Sequence, residues 1–106
     1  MMEGGDIMYY NTQQVLCEAI RGHHVVRFCY DGEMREVEPY VVFHASTGNT
    51  LLFCIQRINS VQAEPRYFNL NKVSYIETAG NFSPDQAFST HNLRSCIGVI
   101  CSVNEF

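Results

Sequence analysis

Apolar residues recur at two different spacings along the chain, and the spacing changes near residue 23. Before that point an apolar stripe at helical spacing predicts a helix over residues 12–21. The stripe consists of Val15, Leu16, Ala19 and Ile20. Asn11 or Thr12 is expected to cap the helix N-terminus, and Gly22 is expected to end it in a left-handed conformation. Residues 1–11 are expected to form a loose leader.

After residue 23 the pattern alternates with a period of two, which is typical of strands. The pair Asp31-Gly32 lies between two alternating segments and predicts a hairpin turn. Pro39 has no backbone N–H and predicts a bend or a sheet edge. We expect strands over residues 24–30, 33–37, 40–44, 50–56, 66–70 and 73–77. The segment Thr50–Gln56 is apolar on both faces and is expected to lie centrally. Short strands separated by turn residues favour a small barrel or sandwich.

The last part of the chain, residues 79–106, carries a weaker pattern and is expected to pack on the barrel as a tail. Ser83 followed by Pro84 has the residues that begin a helical turn, with serine as the cap. The apolar segment Leu93–Val103 is suited to packing against the body. Its pattern fits a strand or a helix.

Composition and charge limit the possible functions. The chain has 106 residues, of which 46% are hydrophobic and 17% charged, so it can form one core without additional cross-links. Its formal net charge is −4, and only seven residues are Lys or Arg. Proteins that depend on many phosphate contacts usually carry the opposite charge. General nucleic-acid binding is therefore disfavoured.

Cysteine usage and the lack of long apolar segments predict the cellular location. The five cysteines are Cys17, Cys29, Cys54, Cys96 and Cys101. Their odd number, with no C-x-x-C pair, indicates neither a disulfide framework nor a zinc site. Cysteines in apolar segments behave as small hydrophobic residues. We therefore expect reduced cysteines, no membrane association and a cytoplasmic protein.

Several ordered motifs together resemble the WYL domain family. The motifs are Ala19–His23 at the helix end, Val25–Gly32, Arg35–Tyr40, Asn49–Gln56 where the family has its Trp-Tyr-Leu strand, and Arg66–Val73. Each motif alone is unspecific, but their order and spacing cover residues 12–78. The resemblance implies an Sm-like, SH3-type antiparallel β-barrel preceded by one helix, in a mainly β protein.

The resemblance also implies a regulatory role. Members of this family are commonly fused to a DNA-binding winged helix, and they are thought to sense nucleic acids or nucleotide-like ligands in bacterial stress and phage-defence control. Nothing in this chain matches the winged helix, so we expect a short, free-standing member.

The chain departs from the family pattern at four positions near the expected ligand site. Thr50 and Leu51 stand where Trp and Tyr are usual, and Phe53 stands where short relatives often have a basic residue. Lys72 replaces the second Arg of the Arg66–Val73 motif. Lysine cannot provide the two parallel hydrogen bonds that arginine offers to a phosphate, so the ligand site differs from that of typical members.

Candidate ligand-binding residues lie in the hairpins. Arg66 and Lys72 can bind a phosphate or carboxylate at the barrel rim, or they can be solvated charges that pair with Glu64 or Glu77.

Tyr30 and Tyr67 offer ring faces for stacking on a base, and the alternative for both is packing within the hairpins. Arg27 can face Arg35 across the hairpin and form a small cationic patch. The alternative is that both arginines pair with the glutamates that crowd the same hairpin.

No combination of residues predicts catalysis. His23, His24 and His44 have no spacing that indicates a metal site, and Cys29 and Cys54 lie among apolar residues that raise a thiol pKa. No cofactor motif or glycine-rich phosphate loop is present.

Two functions remain as hypotheses. The first is a non-enzymatic sensing module for a nucleotide-like or single-stranded nucleic-acid ligand. The alternative is a protein-interaction module that acts through homo-oligomerisation or partner docking, with Leu93–Val103 covering a neighbour.

Overall fold

A computed structural model describes the backbone of residues 4–104 and the side chains of residues 12–104. Over this range one helix precedes a single antiparallel sheet of six strands. The elements are α1 Gly4–Gly22, β1 His24–Tyr30, β2 Glu33–Ala45, β3 Thr50–Arg57, β4 Ala63–Asn69, β5 Ser74–Asn81 and β6 Cys96–Ser102, with 3₁₀ helices at Leu70–Lys72 and Thr90–Asn92. The mainly β architecture with one N-terminal helix is confirmed.

Helix α1 begins earlier than the sequence predicts. The expected helix over residues 12–21 is only its second half, and residues 4–11 are helical where a loose leader is expected. Residues 1–3 lie outside the described range. No proline interrupts Gly4–Gly22, so the backbone hydrogen bonds can continue through the predicted caps. The prediction of Asn11 or Thr12 as N-cap is therefore wrong.

The helix ends at Gly22, as predicted, but the left-handed residue is the next one. His23 has φ 59°, and its N–H donates to the carbonyl oxygen of Ile20 at 3.3 Å. Gly22 meets a different requirement, because a Cβ at this position would lie 2.6 Å from Nε2 of His24. A glycine is therefore needed at position 22 because the His24 ring approaches closely, and not because the backbone has a positive φ there.

Strand β2 is one long strand where the sequence predicts two. Its first half pairs with β1, and its second half pairs with both β3 and β6. Pro39 lies inside the strand opposite Cys54, at an irregularity in the register between Pro39 and Val41. A bulge accommodates a residue that lacks a backbone N–H, so the strand continues past the proline.

The sheet is open over the described range. Its order is β4-β3-β2-β1-β5, with β6 paired to β2, and no ladder joins the two end strands β4 and β5. These two strands are connected through the 3₁₀ helix Leu70–Lys72. Closure into an Sm-like or SH3-type barrel therefore stays a prediction.

The C-terminal segment contributes a strand to the sheet. Strand β6 pairs with β2 from Val41 to Ala45, which decides between the strand and helix alternatives for this segment. The helical turn predicted at Ser83 is absent. Residues 85–88 instead form a turn in which the Asp85 carboxylate accepts from the N–H of Ala87 at 2.9 Å. Aspartate side chains commonly stabilise such turns.

A disulfide joins the helix to the last strand. Cys17 of α1 and Cys101 of β6 are bonded, with their Cα atoms 5.8 Å apart, while Cys29, Cys54 and Cys96 are free. The expectation that all cysteines are reduced is therefore wrong, because the partners are 84 residues apart in sequence and meet only when β6 enters the sheet. The pairing removes the cysteine-based argument for a cytoplasmic location. The described part of the chain contains no helix long and apolar enough to cross a membrane.

Candidate ligand-binding site

Two arginines from different strands approach the same aromatic ring. The guanidinium carbon of Arg35 in β2 lies 5.6 Å from the centroid of the Phe68 ring, and that of Arg66 in β4 lies 5.3 Å from it. Phe68 is fully buried. Both distances are within the range of cation–π attraction. The inner face of the sheet thus gathers two positive charges around one ring.

The hairpin register explains why Arg35 is at this site. The turn at residues 31–32 has two positive φ angles, 52° and 78°, which is typical of a two-residue hairpin turn. It pairs Phe28 with Arg35 and Arg27 with Glu36. Directly paired residues share a face, so Arg35 lies on the core side with Phe28, and Arg27 lies on the opposite side.

Tyr30 forms one wall of the site. Its ring makes an edge contact with Phe68, with the centroids 4.7 Å apart, and the guanidinium carbon of Arg35 lies 5.9 Å from the Tyr30 centroid. Its hydroxyl accepts a hydrogen bond from the N–H of Asn69 at 3.1 Å. This bond links β1 to the end of β4 and fixes the orientation of the ring.

Arg35 is largely buried but only partly hydrogen-bonded. Its side chain is 12% exposed, and Nη2 lies 3.3 Å from both the carbonyl oxygen of Tyr30 and a carboxylate oxygen of Glu33. Its Nε is buried and has no hydrogen-bond partner within residues 12–104. Buried donors are usually satisfied, so this unpaired N–H is an exception among the described residues.

Gln56 on β3 provides a buried acceptor nearby. Its Oε1 also lacks a partner in the described range. Gln56 pairs with Val37, which lies two residues beyond Arg35 on the same face of β2. A buried donor and a buried acceptor therefore lie on one face of neighbouring strands.

Arg66 is the more accessible of the two arginines. Its side chain is 39% exposed and lies 3.5 Å from the Glu64 carboxylate, a weak contact at a solvated surface. Cys54 lies beneath the Arg66 backbone, and its thiol donates to the Arg66 carbonyl oxygen. Burial raises the pKa of the Cys54 thiol, and the positive charge of Arg66 only partly opposes this effect. Cys54 is therefore a protonated thiol that packs under the site.

Arg27, which is predicted for the ligand site, lies apart from this cluster. Its guanidinium pairs with Glu36 at 3.3 Å and with Glu77 at 3.2 Å, on the outer face of the sheet. Of the two alternatives for these arginines, the structure shows pairing with the hairpin glutamates, Arg27 with Glu36 and Arg35 with Glu33, because the hairpin register places Arg27 and Arg35 on opposite faces.

Tyr67 and Lys72 also lie away from the Phe68 ring. Tyr67 points to the opposite face of β4 and packs against Phe43 and Phe53, with ring centroids 6.1 Å and 5.2 Å away. Lys72 is exposed at the end of a 3₁₀ helix, and its side chain has no hydrogen bond or ion pair with the residues that the structure describes. Of the predicted site residues, the structure brings together Tyr30 and Arg66.

Phe68 and Gln56 were not among the residues predicted for the ligand site, and Arg35 was named only as a possible partner of Arg27. For Arg35 a signal was present, since a two-residue turn already implies which strand positions share a face. Gln56 offered no such signal, because its unpartnered oxygen depends on its surroundings in the folded sheet. No group of three or more metal-binding side chains occurs in the described range.

The fold and site together define a class: a small, mainly β domain with an N-terminal helix and an arginine-aromatic site on its inner sheet face. A solved structure with a similar fold is proteasome accessory factor B/C (PafBC) of Arthrobacter aurescens, with a TM-score of 0.62 and 26% sequence identity. The similarity covers 79% of this chain but 14% of PafBC. The chain thus corresponds to a small part of the larger protein.

This similarity supports a WYL-like fold. No protein-family model matches the chain, and no curated protein matches it significantly.

Proposed function

We propose that this domain is a non-enzymatic sensing module that binds a nucleotide-like ligand or a short single-stranded nucleic acid. The observation that carries the proposal is the approach of Arg35 and Arg66 to the Phe68 ring beside Tyr30. A site with two guanidinium groups and an aromatic wall suits a ligand that combines a negative charge with a planar ring.

Each side chain has a distinct task in this proposal. Arg66, which is accessible, donates two parallel hydrogen bonds to a phosphate, while the Nε of Arg35 donates a further one. The exposed part of the Tyr30 ring stacks on a base, an interaction that tolerates different bases. Gln56 Oε1 accepts a hydrogen bond from a base amino group or a sugar hydroxyl.

The charge of the chain favours a small ligand over a long polyanion. With a net charge of −4, the chain repels extended nucleic acid outside this site. Two arginines of the described residues approach the Phe68 ring, so the ligand is expected to make about one or two phosphate contacts and its affinity to depend only weakly on salt.

The test is a fluorescence anisotropy titration with labelled short single-stranded DNA and RNA at low salt. Unlabelled mononucleotides serve as competitors. Arg66→Ala is expected to weaken binding about tenfold, in line with the loss of one charge-assisted contact. The matched control is Arg27→Ala, which removes the same charge from the outer face and is expected to leave the affinity unchanged.

Two results would overturn this proposal. One is the absence of binding by all the probes and competitors. The other is an equal loss of affinity in Arg66→Ala and Arg27→Ala, which would indicate general electrostatic attraction without a defined site.

A further inference from the structure

Five of the six exposed large apolar side chains among the described residues gather in two separate places. One group lines a groove of about 660 Å³ between the start of β2 and the loop that joins β3 to β4. Its members are Met34, Ile58 and Val61, which are 59%, 49% and 88% exposed. The other group is on β6, where Ile97 and Val99 are 71% and 45% exposed. We name these the β2–β3 groove and the β6 patch. Concentrated apolar surface of this kind marks an interaction site.

The β2–β3 groove carries an excess of negative charge. Glu36 and Glu38 line it, and both are held by Arg57, at 3.3 Å and 3.0 Å. Arg27 and Glu77 extend this network along the outer face. The network therefore contains three carboxylates and two guanidiniums, so a partner with apolar side chains and a positive charge is complementary to it.

The β6 patch has the complementary properties. Ile97 and Val99 lie two residues apart on the strand and are both exposed, next to an irregularity in the pairing of β6 with β2. Arg94 precedes them, is exposed, and forms no side-chain ion pair with any described residue. Strand β6 pairs only with β2 over the described range, so its other edge is open. The β6 patch therefore combines exposed apolar side chains, an unpaired strand edge and the positive charge of Arg94, which has no ion-pair partner among the described residues.

We propose that the chain associates with itself head to tail, with the β6 patch of one copy seated in the β2–β3 groove of the next. The interface joins two different surfaces, so each added copy leaves a free groove at one end and a free patch at the other. The contact is separate from the ligand site, because Met34 and Glu36 point away from the face that carries Arg35. Association and ligand binding can therefore be measured independently.

Sedimentation velocity of the full chain tests the proposal. The average mass is expected to increase as the concentration rises from about 5 to about 300 µM. Val61→Glu in the groove and Ile97→Glu in the patch are each expected to give a monomer at every concentration. Both residues are exposed, and circular dichroism checks that each variant remains folded.

Mixing the two variants distinguishes this interface from others. The groove of Ile97→Glu and the patch of Val61→Glu are both intact, so an equimolar mixture is expected to form a one-to-one dimer and nothing larger. Tyr75→Ser changes an exposed apolar residue outside both surfaces and serves as the control, with association expected to match that of the wild type.

A wild-type chain that stays monomeric over the whole concentration range would overturn the proposal, as would a mixture of the two variants that fails to form a dimer. A change in association after Tyr75→Ser as large as that after Val61→Glu would also contradict it.

Discussion

Arg35 and Gln56 present a buried donor and a buried acceptor on the same face of neighbouring strands, and neither atom has a partner within residues 12–104. Unsatisfied buried polar atoms lower stability, and removing one is expected to raise it or leave it unchanged. This relationship leads to the first prediction.

Gln56→Leu removes the unpartnered acceptor and keeps the side-chain volume similar. We expect the free energy of unfolding to stay the same or rise by about 1 kcal/mol, because an unsatisfied group is lost. Ligand affinity is expected to fall. Urea unfolding and anisotropy titration measure the two effects. A large loss of stability would show that Gln56 already has a structural partner.

Arg66→Lys separates the geometry of the guanidinium from its charge. Lysine keeps the positive charge but cannot make two parallel hydrogen bonds to one phosphate. We therefore expect an affinity between those of the wild type and Arg66→Ala, measured by the same anisotropy titration. An affinity equal to that of the wild type would mean that the charge alone suffices.

The disulfide between Cys17 and Cys101 is expected to stabilise the fold substantially. Cross-linking residues 84 apart restricts the unfolded chain, and such cross-links contribute about 2–4 kcal/mol. A Cys17→Ala, Cys101→Ala double variant should lose this amount in urea unfolding. Reductant should lower the unfolding midpoint of the wild type but not that of the double variant. Cys96→Ala is the control, since Cys96 is free.

Burial of the Cys54 thiol predicts a loss of stability at alkaline pH. Burial raises the pKa of Cys54 above its ordinary value of 9.0, so the folded state keeps a proton that the unfolded state releases. This contribution is fully present below pH 9.0 and decreases above it, by up to about 1.4 kcal/mol per pH unit for one proton. Urea unfolding from pH 7 to pH 10 measures the slope.

Cys54→Ala should be less stable at neutral pH, because it loses packing, but its stability should fall less steeply above pH 9.0. Part of the decrease in stability at alkaline pH should remain in the variant, since burial also raises the pKa of Tyr40. An unchanged slope in the variant would contradict the assignment to Cys54.

Gly22 and His24 are expected to be energetically coupled. Alanine usually stabilises a helix by about 1 kcal/mol relative to glycine. In this fold the added Cβ would displace the His24 ring, which holds a 2.7 Å hydrogen bond to Asn81. We expect Gly22→Ala to give no gain alone, and a gain of up to about 1 kcal/mol in a His24→Ala background. A double-mutant cycle of unfolding free energies measures the coupling.

Local features of the fold could be predicted from the sequence because nearby residues determine them. The apolar stripe ending at Ile20 indicates the helix, and the Asp31-Gly32 turn indicates the first hairpin, with its register. Because side chains alternate between the two faces along each strand, this register also places Arg27 and Arg35 on opposite faces.

Long-range relationships required the folded sheet. The approach of Arg35 to the Phe68 ring brings together β2 and β4, which are not neighbours in the sheet, whereas Arg66 and Phe68 lie two residues apart on β4. The pairing of Cys17 with Cys101 depends on β6 joining β2.

The sequence by itself determined the second half of the helix, most of the strands and the first hairpin turn, since these follow from spacing and from the backbone preferences of single residues. The tertiary structure decided that Arg35 and Arg66 approach the same ring, which cysteines meet and which polar atoms are buried without a partner. Those properties depend on contacts between residues far apart in the chain, and no local pattern encodes them.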